Sequence, residues 1–455
     1  MPAKGTDIVK KLPESGKKNC KECGFPTCFA FAMKLASGGA TLDKCPHLSP
    51  EVVAELEDAL APPQKTVTIG TGDLALQIGN EEVVYRHDKT FVNSPGFAIL
   101  ISDNDSDAIV DEKIKKLDDL QFDRVGLTLR ADLLALQCDS GDKTKFAALA
   151  KKACDKSKFP VMLMSEDLDA LFAARDACGD RRPLVYPITK ENIDQAIPLI
   201  KNSPTPVGVR AGSVEELVPL TTKLKAEGID ELVLDPGSKT TPDMIKDQTL
   251  IRRSALKQNF RSLGYPTMAF PCKMAKGKVE EAMVAATAVV KYPAIIVMSD
   301  LDESTLMPLL VQRLNIYTDP RLPMSVEAKL YEILEPNENS PVLITSNWAL
   351  TYFIVASEIE SSRIPSYLLV KDTDGLGVLT GWAAGKFNGD NVGPFIKKSG
   401  VEDKTKCRKI IIPGLTARIK GELEENLPGW EVVIGPKEAS AIPGYLPEFF
   451  KSLKN

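Results

Sequence analysis

Four cysteines stand close together near the start of the chain, in KKNCKECGFPTCFAFAMKLASGGATLDKC. Cys20, Cys23, Cys28 and Cys45 have the spacing C-x2-C-x4-C-x16-C, and a proline directly follows the last of them. Four thiolates can bind a zinc ion or an iron-sulfur cluster. Zinc sites more often use two C-x2-C pairs, whereas three close cysteines with a distant fourth suit a 4Fe-4S cluster. We therefore expect these residues to hold a 4Fe-4S cluster, with zinc as the alternative.

The other cysteines and the histidines are sparse. The chain of 455 residues has nine cysteines and two histidines. His47 follows Cys45 by two residues, and we expect it at the surface or beside the cysteines rather than as a ligand. Five scattered cysteines are expected to be reduced, buried packing residues: Cys138, Cys154, Cys178, Cys272 and Cys407.

A second group of residues suited to chemistry follows four apolar runs near the end of the chain. Side chains that are small or hydroxylated let backbone amides approach a bulky cofactor, and helix N-termini can bind its phosphate. Gly375, Gly377 and Gly381 come close to a dinucleotide fingerprint, but no strand ending in an acidic residue follows, which disfavours a nicotinamide. The segments are ITSN (344–347), KDTDGLGVLTGWAAG (371–385), IPGLT (412–416) and IGPKEAS (434–440).

Between residues 94 and 320, predicted strands alternate with predicted helices. Short runs rich in β-branched residues are each followed by a polar, helix-forming stretch, which favours a (β/α)8 TIM barrel, although an open doubly wound sheet would alternate in the same way. The eight runs are 97–102, 124–129, 161–165, 184–189, 206–211, 231–237, 266–270 and 294–299.

A smaller α/β domain is predicted at the end of the chain. Its continuous apolar strands predict a parallel Rossmann- or flavodoxin-like sheet. One helix is expected between two proline-rich breaks, in DPRLPMSVEAKLYEILEPNENSP. The predicted strands are 341–346, 366–372, 409–414 and 431–436.

The domain organisation follows from these patterns as an α/β multidomain chain. The double proline near residues 58–66 predicts a linker, and the alternation over residues 67–91 predicts an antiparallel β-ribbon. A small cysteine-rich segment before such a linker suggests a mobile redox module, and a fixed cluster is the alternative. The predicted parts are a 4Fe-4S domain (1–58), the linker and ribbon (59–93), the barrel (94–320) and the C-terminal cofactor-binding domain (321–455).

Composition excludes several classes of protein. A net charge of −5 argues against a nucleic-acid-binding face. The first twenty residues lack the apolar core of a secretory signal, and the most apolar later stretch is broken by Lys291 and Pro293. We therefore expect a cytoplasmic protein without a membrane span.

The combination of parts resembles the large (gamma) subunit of the corrinoid iron-sulfur protein of the reductive acetyl-CoA (Wood-Ljungdahl) pathway. The resemblance extends over essentially the whole chain. It is most specific in NCKECGFPTCFAFAMKLASGGATLDKC, in VKDTDGLGVLTGWAAGKF, and in the PG and GP turns near the end. Other anaerobic redox proteins share the cysteine spacing, but the order of all three parts is much harder to match by chance.

The resemblance implies a methyl carrier rather than a stand-alone enzyme. Such a protein accepts a methyl group from methyltetrahydrofolate through a methyltransferase, holds it on corrinoid cobalt, and donates it to acetyl-CoA synthase. A 4Fe-4S cluster reactivates the cobalt from Co(II) to Co(I). The implied partners are a small TIM-barrel subunit in a heterodimer, the methyltransferase, acetyl-CoA synthase/CO dehydrogenase, and a reductive activator or ferredoxin; neither nucleic acid nor membrane is expected.

Carried onto this chain, the resemblance makes Cys20, Cys23, Cys28 and Cys45 the cluster ligands. No residue is expected to be catalytic, since the cobalt of the cobalamin-type corrinoid is the reactive centre. The corrinoid contacts are expected at the strand ends: Thr345, Ser346, Asp372, Thr373, Asp374, Gly375, Leu376, Gly377, Thr380, Gly381, Gly414, Leu415, Gly435 and Pro436.

Two further expectations concern the cobalt and the barrel. The only histidines, His47 and His87, lie far upstream of the cofactor segments, so no protein imidazole should lie beneath the cobalt, while Thr373 shapes its upper face. The predicted barrel has no histidine, which favours a docking scaffold over an independent enzyme. The alternatives are a 4Fe-4S electron-transfer subunit with a flavin or nicotinamide, and a zinc-stabilised scaffold.

Overall fold

The computed structural model describes residues 5–37, 39–60 and 62–453. Its contacts divide the chain into two compact units, Met1–Phe122 with Thr128–Thr318, and Asp123–Leu127 with Asp319–Asn455. The cysteine-rich segment belongs to the same unit as the barrel, so a domain boundary near residue 58 remains a prediction. Residue 61, inside the predicted linker, lies outside the described residues.

The cysteine-rich segment folds around three short helices with a small core of their own. Ile8, Phe31 and Leu56, one from each helix, are almost inaccessible to solvent and belong to one apolar cluster. The second helix begins after Thr27, whose Oγ1 accepts a hydrogen bond from the Ala30 amide at 3.0 Å, as an N-cap residue does. The helices are α1 (Gly5–Lys11), α2 (Cys28–Ala36) and α3 (Pro50–Leu60).

The strands as far as residue 298 are β1 (Thr66–Ile69), β2 (Leu76–Gly79), β3 (Gly96–Ser102), β4 (Phe122–Arg124), β5 (Leu127–Leu129), β6 (Leu133–Gln137), β7 (Val161–Met164), β8 (Leu184–Ile188), β9 (Val207–Arg210), β10 (Leu232–Asp235), β11 (Met268–Ala269) and β12 (Ile295–Met298). Eight of them form one parallel sheet in the order β10-β9-β8-β7-β6-β3-β12-β11. A parallel bridge between Leu234 and Thr267 joins its two ends. The predicted TIM barrel is therefore confirmed over the open sheet.

One of the eight predicted barrel strands is wrong. The run at 124–129 is not a barrel strand, because β4 and β5 pair with each other in a separate two-stranded sheet. The barrel strand is β6, a leucine-rich run whose first four residues are buried. The β-branched residues that favoured 124–129 fit a small exposed ribbon equally well, and tertiary burial decides between the two runs.

The barrel is covered on its outer face by helices, whose apolar sides form the largest core cluster with the outward-facing strand residues. Many of these helices begin with a side-chain cap, for example Asp142, which accepts hydrogen bonds from the amides of Thr144 and Lys145. The helices are α4 (Asp107–Asp119), α5 (Lys143–Lys156), α6 (Leu168–Ala177), α7 (Ile193–Asn202), α8 (Val214–Ala226), α9 (Thr241–Lys257), α10 (Pro271–Met274), α11 (Lys278–Val290) and α12 (Glu303–Tyr317).

The predicted ribbon is present in its first half. Strands β1 and β2 pair antiparallel, with Val67 opposite Ile78. Both side chains are fully buried in the apolar cluster that fills the barrel interior, so the hairpin covers one mouth of the barrel. Residues 83–91 form turns and bends rather than a strand, which corrects the second half of the prediction. Glu81 explains the turning, because its Oε1 accepts hydrogen bonds from the amides of Val92 and Asn93.

The second unit contains a five-stranded sheet whose strands are β13 (Leu330–Ile333), β14 (Val342–Ser346), β15 (Ser366–Lys371), β16 (Lys409–Ile412) and β17 (Glu431–Ile434). The order is β13-β15-β14-β16-β17, with β13 antiparallel and the others parallel. The four parallel strands match the four predicted ones and lie in the flavodoxin-like order 2-1-3-4. The strand order therefore reverses between the neighbouring strands β14 and β16: β15 lies on one side of this pair and β17 on the other.

Helices cover both faces of this sheet, and two apolar clusters flank it. The helix predicted between residues 320 and 340 is wrong, because that segment contains β13, paired with β15 from Leu330 opposite Leu369 to Ile333 opposite Ser366. Among the described residues, no helix is long and apolar enough to span a membrane. The helices are α13 (Ala349–Ser362), α14 (Val378–Ala383), α15 (Gly389–Lys398), α16 (Val401–Lys404), α17 (Lys420–Asn426) and α18 (Ile442–Ser452).

Candidate functional site

The four clustered cysteines line one small cavity, which also touches Phe25, Phe31 and His47. Tight turns bring the cysteines together, because Asn19, Lys21 and Gly24 all have positive φ angles. The Asn19 Oδ1 accepts a hydrogen bond from the Cys28 amide at 2.8 Å, which fixes the start of α2 against the first cysteine. The structure therefore brings together all four predicted ligands.

The electrostatics of this cavity suit a cation. Burial raises the pKa of the Cys45 thiol most, a backbone hydrogen bond from His47 opposes the rise, and the neighbouring thiols of Cys23, Cys20 and Cys28 raise the pKa further. Four thiolates this close together repel one another unless a metal centre neutralises them. An all-sulfur donor set fits both an iron-sulfur cluster and structural zinc.

His47 lies beside the cysteines and is engaged with an acidic residue. Its Nε2 is 3.0 Å from the Glu22 Oε2. Donor atoms of Cys20, Glu22 and His47 all lie within 4.8 Å of one another. The arrangement matches the expectation that His47 neighbours the ligands.

The second site is an apolar cavity of about 460 Å³ at the carboxyl ends of β14 and β16. This position is the switch point of the sheet, where connections depart to opposite faces and where open α/β sheets bind ligands. Four large apolar side chains at the cavity are between 37% and 50% exposed. A contiguous exposed apolar surface of this kind indicates a bound partner or ligand. These side chains are Trp348, Ile354, Leu379 and Leu415.

Two hydroxyls at the end of β14 lack a hydrogen-bond partner. The Thr345 Oγ1 and the Ser346 Oγ are shielded from solvent, and neither has a partner among the described residues. Thr345 lines the cavity, whereas Ser346 is not among the cavity-lining residues. A buried unsatisfied polar group costs about 1–3 kcal/mol, so a bound water, an ion or a ligand group is expected to satisfy it. Thr345 therefore fits a cavity whose ligand brings polar atoms.

Asn347, the next residue, holds the longest predicted loop. Its Oδ1 accepts hydrogen bonds from the Thr373 amide, the Thr373 hydroxyl and the Gly375 amide, at 2.9, 2.9 and 3.0 Å. Its Nδ2 donates to the Asp372 Oδ1 at 3.0 Å. Asn347 stands in the segment ITSN but was not among the predicted contacts, because its partners lie at least 25 residues further along the chain.

The predicted corrinoid contacts fall into two groups. Those that line the cavity are Thr345, Gly377, Thr380, Leu415, Gly435 and Pro436. Those not among the lining residues are Ser346, Asp372, Thr373, Asp374, Gly375, Leu376, Gly381 and Gly414. Thr373 is fully buried, and its single hydroxyl hydrogen is shared between the Asn347 Oδ1 at 2.9 Å and the Leu376 carbonyl at 2.6 Å.

At two of the predicted glycines, Gly414 and Gly435, neighbouring atoms leave no space for a side chain. A Cβ on Gly414 would lie 2.6 Å from the Gly435 carbonyl oxygen, and a Cβ on Gly435 would lie 2.6 Å from the Ile411 Cγ2. The ends of β16 and β17 therefore approach each other closely at the cavity.

The sequence analysis did not identify the helical part of the cavity wall. Thr351, Ile354 and Val355 of α13 and Ile442 of α18 line it. Apolar residues on a helix predict core packing in general, and nothing in their spacing distinguishes a cavity wall from a filled core.

Strand ends of the barrel that could have carried catalysis are occupied by partners. Glu166 forms two hydrogen bonds with the Arg210 guanidinium, at 2.6 and 2.8 Å. Burial raises the pKa of the Asp235 carboxyl, against a hydrogen bond donated by the Tyr186 hydroxyl at 2.6 Å. Asp300 accepts from the Lys116 Nζ at 2.7 Å. The carboxylates at these strand ends are therefore hydrogen-bonded to side chains of the barrel itself.

The expectation that the scattered cysteines are buried is correct only for Cys178. The other four are partly buried: Cys138 and Cys154 pack against the outer barrel core, Cys272 packs against the barrel interior, and Cys407 lies just before β16.

Comparison with known families and proteins gives matches over nearly the whole chain. A family model described as "CO dehydrogenase/acetyl-CoA synthase delta subunit" matches residues 66–446, and a model named for an Fe-S cluster matches residues 16–47. The chain is 44% identical to the corrinoid/iron-sulfur protein large subunit of Moorella thermoacetica, over 98% of each chain. It is 37% identical to the acetyl-CoA decarbonylase/synthase complex subunit gamma of Methanopyrus kandleri, over 97% of this chain and 96% of that one.

Among solved structures, about half of the chain matches dihydropteroate synthases. The enzyme from Thermus thermophilus matches with a TM-score of 0.39 at 14% identity, covering 55% of this chain and 99% of that chain. The enzyme from Vibrio fischeri also gives a TM-score of 0.39, at 13% identity, over 56% of this chain and 99% of that chain.

Proposed function

The chain belongs to the family of corrinoid/iron-sulfur protein large subunits and acetyl-CoA decarbonylase/synthase gamma subunits, and on this basis we propose that it carries methyl groups in acetyl-CoA synthesis. Its place in the acetyl-CoA pathway and its corrinoid and iron-sulfur cofactors come with the family. The carrier role is our proposal. The observation that best supports it is the apolar cavity at the switch point, with the unpartnered Thr345 hydroxyl in its wall.

When bound, a corrinoid supplies a cobalt that accepts and donates methyl groups, and a 4Fe-4S cluster supplies single electrons. The cavity residues would hold and orient the corrinoid. Thr345 and Thr380 would offer hydroxyls to its polar groups, and Gly377 would leave the backbone accessible beside them. Trp348 and Leu379 cover apolar surface and exclude water.

We infer that the cysteine-rich segment is the electron relay that returns oxidised corrinoid to its reactive state. Cys20, Cys23, Cys28 and Cys45 would hold the 4Fe-4S cluster as thiolates. Phe25 and Phe31, with ring centroids 5.5 Å apart, lie in the wall of the same cavity and limit access of water. Burial and a limited number of solvent contacts are among the features that set a cluster's reduction potential.

The proposed partners are those of the methyl transfer. A small barrel subunit would form a heterodimer with the chain, a methyltransferase would supply the methyl group from methyltetrahydrofolate, and acetyl-CoA synthase/CO dehydrogenase would receive it. A reductive activator or ferredoxin would supply electrons to the cluster. We propose that the barrel is a docking scaffold, and the pairing of its strand-end carboxylates with Arg210, Tyr186 and Lys116 supports this role.

The test is the cofactor content of the full-length chain purified without oxygen. We expect iron, acid-labile sulfide and cobalt, with the visible spectrum of a corrinoid. A flavin spectrum, or a colourless protein that contains zinc, would overturn the proposal. Two matched variants locate the corrinoid, because each places a carboxylate in the first turn of a helix at an exposed apolar residue.

In the first variant, Leu379→Asp adds the carboxylate to the cavity wall, where it should expel the corrinoid. In the second, Val279→Asp adds it to a barrel helix, at a residue that is 72% exposed, and should leave the cobalt content unchanged. Equal cobalt in both variants would place the corrinoid elsewhere.

A further inference from the structure

We propose that Asn347 is a positioning residue that sets the shape of the corrinoid cavity by holding the loop from Asp372 to Gly377. The inference rests on the proposed function, because it concerns the same cavity. Asn347 is buried, with 5% of its surface exposed, and does not line the cavity itself. It acts through the loop.

Among the described residues, all the hydrogen bonds of the Asn347 carboxamide go to this one loop. Its Oδ1 accepts three hydrogen bonds, two from backbone amides and one from the Thr373 hydroxyl, and its Nδ2 donates to Asp372. The Asn347 amide also donates to the Lys371 carbonyl at 2.9 Å, which joins the two strand ends side by side. One side chain therefore fixes where the loop leaves β15 and how it turns.

The loop needs such support because its backbone is unusual. Asp374 has φ 57° and Gly375 has φ 72°, both in the left-handed region. That conformation costs a non-glycine residue about 1–2 kcal/mol. The bonds from the Gly375 amide to Asn347 and from the Asp374 amide to the Asp372 Oδ1, at 3.0 and 2.9 Å, hold this turn.

The position of the loop determines the cavity wall. Immediately after the turn, Gly377, Val378, Leu379 and Thr380 line the cavity. Gly377 is packed against the Trp348 ring, where a Cβ would lie 3.0 Å from the Trp348 Cε3. A shift of the loop would therefore move four lining residues together, with little room to adjust.

The site also explains why asparagine is required. The three donors need an oxygen acceptor, and the Asp372 carboxylate needs a donor, so one short side chain must offer both. Aspartate at position 347 would keep the acceptor but place a second carboxylate about as close to Asp372 as the present 3.0 Å contact. Like charges at this distance inside a protein repel strongly.

The experiment uses the full-length chain titrated with hydroxocobalamin, with binding followed by visible absorbance. The variants are Asn347→Asp, the double variant N347D/D372N, and the control Asn192→Asp. Asn192 is a barrel residue whose Oδ1 accepts from the Thr189 amide at 2.8 Å and whose Nδ2 donates to the Pro187 carbonyl. The unfolding temperature without cobalamin and hydrogen exchange of the loop amides are measured for each.

We expect Asn347→Asp to weaken hydroxocobalamin binding at least about tenfold, from the loss of a buried donor and the added repulsion. Exchange at the Thr373 and Gly375 amides should accelerate. Replacing Asp372 with asparagine in addition should recover part of the affinity, because it removes the repulsion. Asn192→Asp should lower the unfolding temperature while leaving affinity and loop exchange unchanged.

Unaltered affinity in Asn347→Asp despite faster loop exchange would overturn the proposal, as would equal weakening in the Asn192 control. If Asn347→Asp does not fold, Thr373→Val decides: loss of its hydroxyl should weaken binding by about fivefold, and unchanged affinity would refute the positioning role. Failure of the unaltered chain to bind hydroxocobalamin would instead contradict the proposed function, while loop exchange would still report whether Asn347 holds the loop.

Discussion

The unpartnered hydroxyl of Thr345 leads to a prediction in which stability and binding change in opposite directions. The Thr345 Oγ1 is buried without a hydrogen bond among the described residues, at a position that is 1% exposed. Replacing it with the methyl group of valine keeps the shape and removes the unsatisfied polar atom. Valine also suits a buried strand such as β14. Thr345→Val should therefore stabilise the ligand-free protein.

The size of both effects follows from the cost of the unsatisfied group. About 1 kcal/mol, the lower end of that cost, would raise the unfolding temperature of a unit of this size by roughly 3–5 °C. If the same hydroxyl bonds the corrinoid, its loss should weaken hydroxocobalamin binding by about fivefold. Calorimetry of the ligand-free protein and titration by visible absorbance measure the two quantities separately.

Thr405→Val is the matched control, because Thr405 is a buried threonine of the same unit whose hydroxyl is partnered. It donates to the Glu338 carbonyl at 3.0 Å and accepts from the Cys407 amide at 3.0 Å. This substitution should lower the unfolding temperature and leave cobalamin affinity unchanged. A lower unfolding temperature for Thr345→Val would show that its hydroxyl has a partner after all, and unchanged affinity would show that it does not meet the ligand.

Three further predictions concern the relay, the joint and the cobalt. Cys20→Ala or Cys45→Ala should leave a corrinoid-loaded protein that transfers methyl groups once chemically reduced, but reactivation by a protein electron donor should fail; normal reactivation would remove the cluster from that role. Limited proteolysis should cut at the start of the predicted linker (58–66), near the end of α3 at Leu60, and release a core that retains the corrinoid. The part of the linker after residue 61 should be spared, since the Pro62 carbonyl and the Gln64 side chain bond to the barrel; cleavage only elsewhere would contradict a mobile module. Paramagnetic resonance of the Co(II) state should show no nitrogen splitting from a protein imidazole, and splitting that persists after the corrinoid's own base is exchanged would refute this.

The features that depend on neighbours in the chain could be predicted from the sequence. The spacing of Cys20 to Cys45 sets how a short loop can wrap one centre, so the cavity shared by the four cysteines follows from local geometry. Long apolar runs that alternate with helices identified every parallel strand of the two sheets except β6, because such runs must be buried on both faces. Cysteine spacing and apolar runs are both patterns of residues that are close together in the sequence, so they can be recognised without the tertiary structure.

Other features were decided by which segments meet in three dimensions. Strand β6 was missed because Leu133–Gln137 has no β-branched residue, and only its place between β3 and β7 makes it a strand. Strand β13 looks helical by spacing and becomes a strand through antiparallel pairing with β15.

At the predicted corrinoid site, too, some features could be predicted from the sequence and others depend on the tertiary structure. The small residues at the strand ends were visible in the sequence, since the carboxyl ends of parallel strands converge on one edge. Which of them line the cavity, and that Asn347 holds the loop beginning at Asp372, depend on hydrogen bonds between segments 25 to 28 residues apart. The spacing of these residues in the sequence does not predict such hydrogen bonds, because Asn347 and its partners come together only when β14 and β15 pair in the sheet.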